Sequence, residues 1–136
     1  MEEKAFVTAI QVVMLPRHTN QYGTIFGGII LSYIDQAALV EAMNHGAHRW
    51  VTASFEKVDF KKPILIGDIV SFSTRTIKTG TKSVTIEVKV EAIRGDTHEK
   101  VEVTTATVAM VSVGPDGKPI PFVTPATAHY KSSREV

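Results

Sequence analysis

One segment limits what this chain can fold into. The stretch Gly27-Gly28-Ile29-Ile30-Leu31-Ser32-Tyr33-Ile34-Asp35-Gln36-Ala37-Ala38-Leu39-Val40-Glu41-Ala42-Met43 reads as a helix that is apolar nearly all the way round. A helix of that kind is buried on most of its faces. The pattern predicts a helix from Gly27 to about His45, with Gly46 as its C-cap, about 27 Å long at 1.5 Å per residue. Everything else with a pattern is strand-like: Phe6 to Leu15, Trp50 to Phe60, Ile69 to Lys78, Lys82 to Ile93 and Lys100 to Val113. In the fourth run Val84, Ile86, Val88, Val90 and Ala92 alternate with Thr85, Glu87, Lys89 and Glu91, the mark of a half-buried antiparallel strand. Turn signals stand at Gly67-Asp68, Gly80 and Gly95-Asp96.

One helix and five strands give an α+β chain. A strand of about ten residues spans roughly 33 Å, close to the helix length, so the economical arrangement is a sheet curled round the helix. Some apolar surface would stay uncovered, and a second copy is the usual remedy; a homodimer is expected. With 136 residues the chain fits one domain, 1–136. Its core is expected over about 6–113, with a polar tail over 114–136 after the turn Pro115-Asp116-Gly117-Lys118-Pro119.

Several function classes drop out. The net charge is +1, without the basic excess that nucleic-acid binding needs. There are no cysteines, which removes disulfides, thiolate nucleophiles and cysteine zinc sites. The start, Met1-Glu2-Glu3-Lys4, is acidic where a signal peptide is basic. No apolar run approaches the ~20 residues that span a bilayer. A cytoplasmic protein with no membrane partner is the expectation. His45, His48, His98 and His129 show no metal-ligand spacing, and there is no P-loop, dinucleotide fingerprint or serine nucleophile elbow.

The remaining polar residues each have two readings. Asp35, on an apolar helix, loses hydration and must be paired, protonated or given a task. It is either a general base or nucleophile toward a carbonyl, or a helix carboxylate facing water or a lysine. Gly27 and Gly28 either present free helix N–H groups to an anion or polarised carbonyl, or mark a tight junction or close helix–sheet contact. Asn20 either orients a water or donates to a developing oxyanion, or it forms an Asx-turn. His18 is a general base or a solvated loop residue. Lys57, Lys61, Lys62, Arg75, Lys78 and Lys82, with the Thr79-Gly80-Thr81-Lys82-Ser83 turn, form a phosphate-binding rim or simply a wet sheet surface.

The stretch Met14-Leu15-Pro16-Arg17-His18-Thr19-Asn20-Gln21-Tyr22-Gly23-Thr24-Ile25-Phe26-Gly27-Gly28, followed by Ile34-Asp35, resembles the acyl-CoA thioesterases of the hotdog fold, in particular the YciA-like bacterial hydrolases and their tandem-domain animal relatives. Phe60-Lys61-Lys62-Pro63-Ile64, Gly67-Asp68, Lys78 to Ser83 and Pro115 to Pro119 extend the resemblance over about residues 8 to 122. It implies a five-stranded antiparallel sheet round one central helix, dimers joined edge to edge with sites at the interface, and often trimers of dimers. The family's essential carboxylate falls on Asp35 and its partner on Asn20, from the opposite subunit. The carbonyl-polarising amide falls on Gly27 or Gly28. The implied reaction is hydrolysis of an acyl-CoA to an acid and CoA, with no cofactor or metal, CoA being part of the substrate. Asp35 would deprotonate a water held by Asn20, or attack directly and form an anhydride. Lys57, Lys62, Lys82 and Ser83 are the candidates for binding CoA. Two rivals share the fold: a hydratase or dehydratase using His18, and an acyl-CoA sensor without turnover.

Overall fold

The computed structural model describes residues 4–124. Strand β1 (Val7–Val13) leads through a single 3-10 turn (Pro16–His18) to helix α1 (Gly27–Met43). Then come β2 (Arg49–Glu56), β3 (Ile69–Thr79), β4 (Ser83–Ile93) and β5 (Lys100–Val113). All pairings are antiparallel, and the sheet order is β1-β3-β4-β5-β2. The first two strands of the sequence therefore form its two edges, and the longest strands its centre.

The core follows the alternation in the sequence. Val84, Ile86, Val88, Val90 and Ala92 are fully buried. They meet Ile30, Ile34, Ala37, Ala38 and Ala42 of α1, with Phe72 and Val70 of β3 and Val103, Ala106 and Val108 of β5. The loop ends of β3 and β4 are locked together. Gly67 takes a left-handed backbone (φ +84°), and a side chain on Gly95 would come within 2.6 Å of the Gly67 carbonyl. Beside them the buried Asp68 accepts from the Leu65 amide and from the Arg94 guanidinium. The Gly67-Asp68 motif is thus a tie between hairpins.

Three expectations are corrected. The helix is buried on one side only: Leu31, Leu39 and Val40 are exposed, because the sheet covers a single face of α1. The helix ends at Met43, and its C-cap is Asn44 in helical conformation. Gly46 instead lets another segment pass, since a side chain there would lie 2.8 Å from the Phe122 carbonyl. That segment is the third correction. Residues 114–124 are no polar tail: Val113 bridges to Pro119, the Ile120 amide bonds the Ser112 carbonyl at 2.9 Å, and the Phe122 ring lies 5.8 Å from both His45 and Trp50. The rest of the expected tail, with His129, lies outside the described residues.

Candidate active site

The loop before α1 is a small folded unit. Thr19 bridges to Ile25, and the Asn20 amide donates to the Thr24 carbonyl at 2.8 Å. The Asn20 side chain serves this unit. Its Oδ1 accepts from the Tyr22 and Thr24 amides at 2.9 and 3.2 Å, and its Nδ2 donates to Thr24 Oγ1 at 2.9 Å. This is the Asx-turn reading. Within one protomer Asn20 and Asp35 share no hydrogen bond. His18 is buried, and its Nδ1 accepts from the Leu15 amide at 3.0 Å. That bond occupies the ring nitrogen a base would use and leaves the proton on Nε2.

The unit delivers the chain into α1 through Phe26, an N-cap without a side-chain cap. The Phe26 amide is taken by the His18 carbonyl at 3.0 Å. Among the described residues the N–H groups of Gly27 and Gly28 have no backbone acceptor, as expected for the first helical residues. A side chain on Gly28 would meet nothing within 4 Å, and one on Gly27 only the Phe60 ring at 3.8 Å. Neither glycine has a positive φ. Close packing within the protomer therefore explains neither glycine.

Asp35 lies two turns further along and is half-buried. Its Oδ1 accepts a hydrogen bond from Thr52 Oγ1 on β2. Thr52 Oγ1 also lies 3.4 Å from the Met110 sulfur. Among the described residues no cation pairs with Asp35 and nothing donates to Oδ2. Asp35 lines a cavity of about 560 Å³ with Leu31, Ser32, Phe55, Val58 and Phe60, an apolar wall with one carboxylate. Phe60 also borders a second cavity of about 250 Å³, lined by Thr24, Ile25, Gly27, Ile30 and the Lys61–Ile64 stretch. Phe60 thus stands between the cavity that holds Asp35 and a second, also largely apolar one that carries Lys61 and Lys62.

Thr52 was not a candidate from sequence. It is one hydroxyl in a strand run, and what aims it is tertiary: the pairing of β2 with β5 shifts register between Thr52 and Ser54, a bulge that re-aims neighbouring side chains. The predicted basic residues scatter. Lys62 lines the smaller cavity. Lys57 follows β2 directly, in a left-handed backbone (φ 56°), next to Val58 of the larger one. Lys82 and Ser83 sit at the β3–β4 hairpin beside Ser112, whose amide bonds the Lys82 carbonyl at 2.9 Å; they line neither cavity. Among the described residues no three His, Asp or Glu side chains converge as metal ligands do.

Comparison with known proteins agrees with this layout. The profile of the thioesterase superfamily matches residues 22–98. The acyl-CoA thioester hydrolase YciA of Salmonella typhimurium is 34% identical over 118 residues, which cover 83% of this chain and 87% of that protein. An uncharacterized acyl-CoA thioester hydrolase of Bacillus subtilis, YkhA, is 37% identical over 108 residues. That match covers 79% of this chain and 63% of the B. subtilis protein, so the chain spans under two-thirds of its length. A hexameric hotdog fold thioesterase of Campylobacter jejuni superposes with a TM-score of 0.80 at 42% identity, covering 85% of this chain and 89% of that one. A five-stranded antiparallel sheet round one long helix is the hotdog fold, and the chain belongs to the thioesterase superfamily.

Proposed function

We propose that this protein hydrolyses acyl-CoA thioesters to a carboxylic acid and CoA. The observation that carries this is Asp35: one carboxylate oxygen held by Thr52, the other free, in an apolar cavity on a helix whose first two amides are uncapped. The thioester oxygen takes hydrogen bonds from the Gly28 and Gly27 amides, aided by the helix dipole. Asp35 Oδ2 removes a proton from water, the hydroxide adds to the carbonyl carbon, and the tetrahedral intermediate expels the CoA thiolate. The proton on Asp35 passes to the thiolate, and the product acid gives its own proton to solvent and leaves as carboxylate. A thiolate is a fair leaving group, so no cofactor or metal is called for. Attack by Asp35 itself, through an anhydride, uses the same groups.

Gly28 and Asp35 are seven residues apart, about 10 Å along the axis. A carbonyl bound at the amides of one helix is out of direct reach of that helix's own Asp35. In our reading the amides and Asn20, which belong to one folded unit, come from the partner. The dimer forms where exposed Leu31, Leu39 and Val40 of α1 adjoin exposed Val51 and Phe55 of the edge strand β2. Three such dimers assemble into a hexamer, the state of the C. jejuni protein. The phosphates of CoA rest against Lys57 and Lys62. Lys82 and Ser83 serve the site only across a subunit boundary. The acyl chain enters the larger cavity. CoA esters are polyanions that do not cross membranes, so the setting is the cytoplasm. No helix among the described residues is long and apolar enough to cross a membrane.

Release of CoA from a panel of acyl-CoAs, read with a thiol reagent, tests the activity. The chain has no cysteine, so the reagent reports product alone. Turnover that collapses in Asp35→Asn supports the scheme. Tight binding of CoA esters without turnover would leave the sensor reading in its place. Mixing Asp35→Asn with Asn20→Ala subunits tests the shared site: mixed dimers regain activity only if the two groups come from different chains.

A further inference from the structure

The inner face of α1 changes character along its length. Ile30 and Ile34 interlock with the sheet, but from Ala37 on the buried positions are Ala37, Ala38 and Ala42. Along this stretch Met43 is the one bulky side chain packed against the core, so shape alone keys this end of the helix to the strands less firmly than it keys the isoleucine end. At that end the core holds a polar cluster that the mechanism does not use. Glu41, half-buried on α1, accepts from Thr74 Oγ1 at 3.0 Å through Oε1 and from Thr76 Oγ1 at 2.7 Å through Oε2. Both threonines are on β3, and they are 2% and 7% exposed. The Thr76 hydroxyl has one proton, given to Glu41, so His45 Nε2–H donates to Thr76 Oγ1 across 2.8 Å.

We infer that Glu41 is a positioning residue, which clamps α1 to β3 and thereby aims Asp35 at Thr52. Asp35 and Glu41 are six residues apart, about 9 Å along the axis and about 120° round it. Asp35 is tied to β2 and Glu41 to β3, strands separated in the sheet by β4 and β5. Two ties on opposite flanks stop the roll that one tie would permit. Hydrogen bonds are directional where alanine contacts are not, and setting register is the best-attested use of buried polar groups. Both carboxylate oxygens are engaged, so rotation of α1 by a fraction of a turn breaks the clamp. The inference rests on the proposed role of Asp35.

The test compares Glu41→Ala and Glu41→Gln with the wild type, in the intact oligomer. Glu41→Ala should lower kcat between about 10- and 100-fold, the cost of misplacing a catalytic group by about 1 Å, with KM changed less than about twofold. Glu41→Gln keeps one acceptor for a threonine and should restore most of kcat. A crystal structure of Glu41→Ala should show the Asp35–Thr52 hydrogen bond broken. Should Glu41→Ala fail to fold, Thr76→Val with Thr74→Val removes the same bonds isosterically and should give the same kcat loss. Wild-type kcat in any folded variant without the clamp, or lost kcat with the Asp35–Thr52 bond intact, overturns the inference. If the wild type hydrolyses no acyl-CoA, the proposed function fails instead, and the Asp35–Thr52 contact in the variant crystal still decides the clamp.

Discussion

Replacing Gly28 by alanine should make the protein more stable and less active. Gly28 is the second residue of α1, has no positive φ, and a methyl group built on it meets no atom of its own chain within 4 Å. The folded protomer therefore accepts the side chain without strain. The unfolded chain loses conformational freedom, and glycine to alanine inside a helix is worth about 0.5–1 kcal/mol. Near the helix end the lower half of that range applies. For a chain of this size it raises Tm by about 2–3 °C. In the proposed scheme the same methyl stands beside the amides that receive the thioester oxygen. Displacing the carbonyl by a fraction of an ångström should lower kcat by at least about tenfold. Thermal denaturation, CoA release and gel filtration on one preparation separate the effects. Wild-type activity with a higher Tm would refute the use of this backbone as an oxyanion site. A lower Tm with a smaller assembly would mean that the space is filled by a neighbouring subunit rather than by substrate.

Other outcomes follow from single contacts. Thr52→Val keeps the shape of Thr52 and removes its bond to Asp35; kcat should fall about tenfold, about 1.4 kcal/mol of transition-state stabilisation, as steady-state kinetics would show. Arg94→Leu leaves the buried Asp68 without its cation and should destabilise the fold by about 3–5 kcal/mol in urea denaturation, while the folded fraction keeps its kcat. His18→Asn offers Oδ1 to the Leu15 amide in place of Nδ1. Hydrolysis should survive it, and a folded variant without activity would restore His18 as a catalytic candidate.

The sequence by itself determined whatever depends on local periodicity. The two-residue alternation of β4 names its buried face residue by residue, and the apolar run from Gly27 marks the one helix. Asp35 is conspicuous because a carboxylate on that helix has no local reason to be there. Hydrophobic patterning speaks for burial, though not for which body does the burying: Leu31, Leu39 and Val40 look like core and are exposed in a single chain. Tertiary structure alone decided the rest, because each feature needs residues far apart in sequence to meet. Thr52 meets Asp35 across the fold, at the point where β2 is bulged against β5. Gly46, read as a helix cap, is small because Phe122 returns past it, and Phe122 returns because an apolar ring finds Trp50 and His45. Lys62 and Lys82 are both basic residues on the strand side of the molecule, yet one lines a cavity and the other sits on a distant hairpin. Charge and composition are the same for both; only the path of the chain between them differs.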